Sequence, residues 1–201
     1  MRRAVTGLLI SVFSSGALAE PSPRTLSFSC DGAFSQESSL ALVQKTFGKR
    51  NVRVAAGDCG DPVVLYPNDR SRRVEIEWWG CPKLDGTPGY ISTQDSRSHW
   101  HVGKIRIGSP ISVATAENGQ PFYITGFSKD GHAFLDDRRI SASQKIFLPC
   151  GEQAGFDIIF GFKHRPPERM LYENTLIRSD DPGLLAAGVY VKGFFIRSWR
   201  F

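Results

Sequence analysis

Glycine and proline interrupt this sequence so often that its apolar segments stay short. The chain holds 20 glycines and 12 prolines, and the apolar residues between them alternate with polar ones for only a few positions at a time. Short alternating segments bounded by such residues are typical of strands joined by tight turns. We therefore predict an α+β fold that is mainly antiparallel β-sheet, with two or three short helices.

Several segments carry the strand pattern. The predicted strands lie at residues 25–30, 52–55, 63–66, 74–79, 122–127, 140–148, 156–162 and 189–201. In one of them, Val74, Ile76 and Trp78 alternate with Glu75 and Glu77. Because successive side chains of a strand point to opposite faces, this alternation predicts one face in the core and one in water.

Helical spacing of apolar residues appears in three short stretches. The first covers residues 40–47, and the second covers 111–117. For the second helix, we expect Ser109 to be the N-cap and Pro110 to be the first helical residue. A third short helix is predicted over 184–187, after an Asp-Asp-Pro start.

The two halves of the chain share a layout. In each half a short helix ends at a glycine, Gly48 or Gly119, and strands follow. We predict a single domain over residues 20–201, built from two tandem units at 25–98 and 99–201. Two unrelated helix-to-strand connections would give the same layout, so a duplication is one of two interpretations.

The first 19 residues follow the plan of a secretory leader. Arg2 and Arg3 precede an apolar stretch, and the small residues Ala17 and Ala19 form a cleavage site before Glu20. The apolar stretch is much shorter than the roughly 20 residues of a membrane-spanning helix. We therefore predict a cleaved signal peptide, no membrane span and a periplasmic location, with secretion outside the cell as the alternative.

The positive charge of the chain does not indicate a nucleic-acid partner. The formal net charge is +5, but Arg2 and Arg3 belong to the predicted leader. The remaining cations are interleaved with acids, as at residues 69–75 and 136–139. Such mixed charge is typical of a solvated surface, whereas nucleic-acid binding needs cations clustered on one face.

Four cysteines follow the leader, which predicts two disulfides in an oxidising compartment. None of the spacings is C-x-x-C, so neither a zinc knuckle nor a redox pair is indicated. Cys59 and Cys81 both lie in turn-like Gly/Pro sequence at the ends of one strand-rich stretch. Of the three connectivities we favour Cys59 with Cys81, which leaves Cys30 with Cys150.

Two segments resemble the core signature of a family of uncharacterised exported proteins of Gram-negative bacteria. Residues 105–109 read IRIGS, and residues 117–127 read ENGQPFYITGF. Flanking matches lie at 65–67, 72–78, 179–182 and 189–191. The resemblance implies export but no activity. The chain departs from the family at 126–132, where relatives continue with an aromatic, glycine-rich loop.

The layout is also similar, more remotely, to the helix-then-sheet units of β-lactamase inhibitor proteins. It resembles in the same way the small lipoprotein of the outer-membrane barrel-assembly machinery. In these units a short helix enters through a Gly-Ser or Gly-Thr cap, leaves through Gly-x-Pro and packs on an antiparallel sheet. Residues 109–121 fit that form. This resemblance implies a binding scaffold.

Aromatic residues are the candidate binding groups. Where two aromatic residues are adjacent on a strand, one ring enters the core and the other faces solvent or a partner. We select Trp79, Trp100, Tyr123 and Phe127 as binding residues. The predicted function is a non-catalytic, inhibitor-like module that recognises another cell-envelope protein through a sheet face. If helices cover the second face of the sheet instead, both rings of each adjacent pair are buried.

The alternative is a metal-dependent or hydrolytic envelope enzyme. His99 and His101 would lie on the same side of a strand, and Asp130 or His132 could complete a metal site. The sequence has none of the G-x-S-x-G, S-x-x-K or H-E-x-x-H motifs. Glu75 and Glu77 fit a solvated stripe better than a pair of hydrolytic carboxylates. We predict no catalytic residue and no cofactor.

The favoured cysteine pairing makes a testable prediction. Closing a loop of about 20 residues stabilises a domain by roughly 3 kcal/mol in the chain-entropy model. Cys59→Ser should therefore destabilise the oxidised protein and leave Cys81 as its new free thiol. Alkylation under denaturing conditions, followed by peptide mapping, identifies that thiol. Labelling of Cys30 or Cys150 would contradict the pairing.

Overall fold

A large antiparallel sheet organises the computed structural model, which describes residues 26–54, 62–78, 88–136 and 154–198. The strands are β1 (Val52–Arg53), β2 (Val63–Leu65), β3 (Val74–Trp78), β4 (Pro88–Thr93), β5 (His101–Val102), β6 (Ile105–Arg106), β7 (Tyr123–Thr125), β8 (Ala133–Phe134), β9 (Ala154–Gly161), β10 (Leu176–Arg178) and β11 (Tyr190–Ser198). Seven of them form one sheet in the order β1-β2-β3-β4-β11-β9-β8. The pairs β5–β6 and β7–β10 form two small sheets. The predicted α+β class is confirmed.

Some predicted features lie outside the described residues. These are the leader, the strand at 140–148, Trp79, Cys59, Cys81 and Cys150. Cys30 packs against the core, and no cysteine of the described residues is free. The two disulfide pairings stay predictions. Among the described residues, every helix is too short or too polar to cross a bilayer.

Three α-helices occur in the described residues: α1 (Leu40–Phe47), α2 (Ile111–Asn118) and α3 (Pro182–Ala186). Helix α1 begins at Ser39, whose Oγ accepts a hydrogen bond from the Leu42 amide at 3.2 Å. Helix α3 begins at Asp181, whose carboxylate accepts from the Gly183 amide at 2.7 Å. Single turns of 3₁₀ helix cover Gly32–Phe34, Lys49–Asn51 and Glu168–Met170.

The start of α2 differs from the prediction. Pro110 keeps an extended backbone and is itself the N-cap, so the first helical residue is Ile111. The Ser109 hydroxyl does not cap the helix, because it accepts a hydrogen bond from the Arg106 amide at 3.0 Å. It closes the turn after β6 instead. The predicted end is confirmed, since Gly119 follows α2 in the left-handed conformation at φ 80°.

The two halves of the chain meet within the large sheet. Strands β1 to β4 are neighbours in sequence order, and β11, β9 and β8 continue the sheet from the second half. The junction is the antiparallel pairing of β4 with β11, from Phe194 opposite Thr93 to Arg197 opposite Tyr90. The strands of the two predicted units therefore share one surface. Their origin by duplication stays a prediction.

One face of the sheet, here the inner face, carries an aromatic core. Phe28 is fully buried, and its ring lies 5.5 to 6.3 Å from those of Phe34, Trp100, Phe156 and Phe194. The predicted strand at 25–30 is reduced to a bridge between Ser27 and His101 that holds Phe28 in place. The helices add Val43, Ile111, Ala114 and Leu184 to the same core. The helices therefore cover the inner face.

The other face of the sheet, here the outer face, carries mixed side chains. The predicted alternation in β3 is confirmed, because Val74, Ile76 and Trp78 are buried while Glu77 is exposed and Glu75 is half-buried. Cross-strand neighbours on the outer face form two rows: Glu75, Ser92, Phe195 and Asp157, and then Glu77, Tyr90 and Arg197. None of these residues belongs to the aromatic core.

A bulge in β11 changes the alternation of its side chains. Val191 pairs with Phe160, but Gly193 pairs with the next residue, Ile159, so Lys192 is an extra residue in the ladder. A side chain at Gly193 would not fit, since its Cβ would lie 2.8 Å from the Thr93 carbonyl oxygen. The bulge lets both Val191 and Phe194 point inward, while Phe195 points outward.

The aromatic core makes a prediction about stability. Phe28→Ala should lower the free energy of unfolding by about 3–5 kcal/mol, because it leaves a cavity among four rings. Tyr172→Ala is the control: this ring is 58% exposed, and its loss should change stability by about 0.5 kcal/mol at most. Urea unfolding measures both. Equal effects of the two substitutions would contradict the central place of Phe28.

Candidate binding groove

An open groove lies on the outer face near the edge strand β8. Its volume is about 440 Å³. Side chains of β8, β9 and β11 form its floor, and the segments 125–128 and 173–174 form its rim. We call this feature the outer groove. Its volume is within the range of small-ligand and peptide sites.

Aromatic rings form the floor of the outer groove. The rings of Phe134 and Phe195 meet edge to face, with centroids 5.8 Å apart. Tyr90 packs on the other side of Phe195 at 5.3 Å. In the doublet Phe194-Phe195, the first ring enters the core and the second joins the outer groove, as strand alternation requires. Phe195 is only 3% exposed, so the floor is apolar and the half-buried ring of Phe134 is its more accessible part.

Three carboxylates line the outer groove. Asp157 is held in a fixed position, because its Oδ1 accepts hydrogen bonds from the amides of Leu135 at 3.0 Å and Ile158 at 2.8 Å. Asp136 is only 5% exposed, and its amide donates to the Tyr123 carbonyl. Glu173 is exposed at the rim. Acidic groups thus occupy both the floor and the rim.

Among the described residues of the outer groove, Arg197 and His132 are the basic side chains. The Arg197 guanidinium lies 5.8 Å from the Phe195 ring centroid. The Lys192 ammonium, which does not line the groove, donates a hydrogen bond to Nε2 of His132. Burial, and then repulsion by Lys192, lowers the pKa of His132, although Asp130 opposes the shift. His132 is therefore mostly neutral at pH 7.

A close backbone contact fixes the rim. A Cβ on Gly126 would lie 1.9 Å from the Tyr172 carbonyl oxygen, so only glycine fits there. The Gly126 amide also donates to the Thr175 carbonyl at 2.7 Å. This contact holds the turn at 172–175 beside β7 and presents the exposed Tyr172, Glu173 and Asn174. This turn was not predicted from the sequence.

The aromatic residues selected from the sequence do not form the outer groove. Trp100 is 2% exposed in the aromatic core, and its Nε1 donates to the Arg72 carbonyl at 2.9 Å. Phe127 is fully buried against the ring of Phe162. Tyr123 is half-buried in β7. Neither Trp100 nor Phe127 presents a ring for a partner, because both complete the inner core.

The structure does not bring the predicted metal ligands together. His99 is exposed, and Nδ1 of His101 is engaged with the Gly103 carbonyl at 3.0 Å. His132 and Asp130 lie elsewhere, just before the edge strand β8, and Asp130 is exposed. In the part of the chain that the structure describes, no three His, Cys, Asp or Glu side chains are placed to hold a metal ion.

A smaller pocket of about 250 Å³ lies on the β3–β4 part of the outer face. Glu75 contributes to it through an ion pair with Arg73, whose Nη2 lies 2.6 Å from Oε1. This pairing agrees with the solvated stripe that the sequence predicts. Burial, and then repulsion by Glu75, raises the pKa of Glu77.

No family model, curated protein or solved structure matches this chain. The resemblance to exported envelope proteins therefore stays a prediction, and the function has to be argued from the outer groove itself.

The contact between His132 and Lys192 predicts a titration. The pKa of His132, measured by NMR, should lie below its usual value near 6.5, and Lys192→Met should raise it. Because folding lowers the pKa of His132, the charged imidazole is less stable in the folded protein than in the unfolded chain. Stability should therefore fall as pH drops from about 7.5 to about 5.5, and fall less in His132→Gln. A pKa at or above the usual value would contradict this contact.

Proposed function

We propose that this protein is a non-catalytic binding module of the bacterial cell envelope, and that it holds a segment of another protein in the outer groove. The observation that carries the proposal is the groove itself: an aromatic floor and a charged rim on the sheet face away from the helices. The predicted leader supports the periplasm as the place of binding.

The composition of the outer groove favours recognition. Protein interfaces are enriched in aromatic residues and arginine, and their energetic centres are apolar floors within a polar rim. The half-buried Phe134 and the exposed Arg197 supply those groups here beside the buried ring of Phe195, and the exposed Tyr172 stands on the turn that forms the rim. The hydrogen bonds of Asp157 and the tight contact at Gly126 fix this surface before a partner arrives. A preformed surface lowers the entropic cost of binding.

The alternative function, that of a metal-dependent or hydrolytic envelope enzyme, has less support from the described residues. His132 is the histidine that reaches the outer groove, and its Nε2 accepts a hydrogen bond from Lys192. A general base needs that nitrogen for the proton of a nucleophile. His99 and His101 do not line the outer groove. The binding proposal needs neither a base nor a metal.

A photo-cross-linking residue placed at two matched positions tests the proposal. Asn174 is exposed on the rim. Asn68 is exposed in the turn after β2, which lies toward the opposite edge of the sheet from β8. In an envelope extract, the residue at 174 should cross-link to one protein, and the residue at 68 should not. Equal yields at 174 and 68 would contradict a partner in the outer groove.

Blocking the groove provides a second measurement. Asn174→Trp should reduce capture of the same partner by about tenfold or more, because the indole fills the entrance. Asn68→Trp is the control and should leave capture unchanged. Metal analysis of the bait accompanies both experiments. Unchanged capture together with a stoichiometric metal ion would favour the enzyme instead.

A further inference from the structure

We infer that the contact between His132 and Lys192 is a pH-sensitive latch on the outer groove. At neutral pH it holds the His132 side chain in the groove lining, and acidification releases that side chain and weakens the binding of a partner. This inference rests on the proposed function, because it names how binding in that groove is regulated. Three observations support it: the path of Lys192 across the sheet, the anchoring of the turn that carries His132, and the kind of hydrogen bond between them.

The side chain of Lys192 crosses a neighbouring strand. Lys192 is the extra residue of the bulge in β11, and its stem passes over Gly161 of β9, where an added Cβ would lie 3.4 Å from Cδ of Lys192. The same Cβ would lie 3.3 Å from the Tyr190 ring. Beyond Gly161 the ammonium reaches His132, directly before β8. The bulge and the glycine together therefore let a side chain of β11 reach the start of β8.

The turn that carries His132 is fixed through its backbone. The Ser128 amide donates to the His132 carbonyl at 2.8 Å, and the His132 amide donates to Oγ of Ser128 at 3.2 Å. Gly131 adopts the left-handed conformation in this turn at φ 72°, and the Phe162 ring lies close to it. None of these bonds involves the imidazole. The ring can therefore leave Lys192 while the turn stays folded.

The hydrogen bond between the two side chains forms in one protonation state of His132. The Lys192 ammonium has donors only, so Nε2 of His132 is the acceptor and carries no proton. A protonated imidazole has two donors and no acceptor, and it would meet a second cation at hydrogen-bond distance. Protonation therefore replaces an attraction by a repulsion and separates the two side chains. The lowered pKa of His132 agrees with this cost.

The charges around His132 determine where the released ring goes. Lys192 repels the imidazolium, and Asp130 in the same turn attracts it. The strand between them, β9, presents the uncharged Gly161 on this side. The other titratable or charged groups of the turn, of the crossing at Gly161 and of the groove lining are Lys129, Tyr190, Asp136, Asp157, Glu173 and Arg197. A charged His132 would therefore turn from Lys192 toward the exposed Asp130 and change the surface that a partner meets.

The size of the effect on binding follows from the titration. A histidine with the usual pKa near 6.5 is about 90% protonated at pH 5.5, and a lower pKa gives a smaller fraction. The groove is preformed while His132 is neutral and held by Lys192. A partner that binds only this form would lose about two- to tenfold in affinity between pH 7.5 and pH 5.5.

NMR of the intact oxidised protein tests the latch without a partner. The Cε signal of Lys192 and the ring signals of His132 should titrate together. In His132→Gln the Lys192 signal should stay constant from pH 7.5 to pH 5.5, because the carboxamide oxygen accepts the same hydrogen bond throughout. His99→Gln removes an exposed histidine outside the groove, so this matched control should titrate like the unmodified protein. A Lys192 signal that does not follow the titration of His132 would overturn the latch.

Capture of the partner by the cross-linking residue at 174 tests the effect on binding. The affinity should fall about two- to tenfold between pH 7.5 and pH 5.5, and His99→Gln should show the same fall. His132→Gln should hold its affinity over this range. An equal loss in His132→Gln, or no loss in the unmodified protein, would overturn the regulation and leave the binding module intact. Absence of capture at pH 7.5 would instead contradict the proposed function, and the NMR titration would still decide whether the latch exists.

Discussion

The pairing of β4 with β11 is the contact on which the rest of the structure depends. It joins strands that are far apart in the chain, and it merges a four-strand meander with the three strands of the second half. On the inner side it places Ile91 beside Ile196, and on the outer side it places Tyr90 beside Arg197. Forming this pair closes a long loop of the chain. Burial of the aromatic core around Phe28 must offset the entropic cost of that closure. The register of this one strand pair then determines which side chains enter the core and which line the outer groove.

Strong local patterns made much of this fold predictable from the sequence. The alternation of Val74 to Trp78 and the helical spacing before Gly48 each identified an element and its buried face. Strand β4 was missed because it begins with Pro88 and Gly89, which are typical of turns. Strands β8 and β10 were missed because two or three residues are too few to show an alternating pattern. Such strands exist because a neighbour offers hydrogen bonds.

The candidate site was less predictable, because aromatic character does not specify which face a ring occupies. Trp100, Phe127 and Phe195 are all aromatic and all at most 3% exposed, but distant contacts place the first two in the inner core and the third on the outer face. The outer groove collects side chains from segments separated by many residues, such as Asp136 and Arg197. No local motif joins them. The sequence could predict that adjacent rings point in opposite directions, but not which of those rings a partner could reach.

The bulge at Lys192 determines which aromatic ring of β11 lies on the outer face of the sheet. In an unbroken strand, Val191 and Phe195 would share a face, four positions apart. The bulge sets two residues of β11 opposite one residue of β9, so Phe195 lies on the outer face of the sheet while Val191 points inward. Removing Lys192 would delete the bulge but leave Val191 and Phe195 three positions apart, so Phe195 would still point outward. Flattening the bulge with Lys192 kept in the ladder would instead turn Phe195 inward and Phe194 outward, so the pairing of two residues with one at this point determines which ring lies on each face.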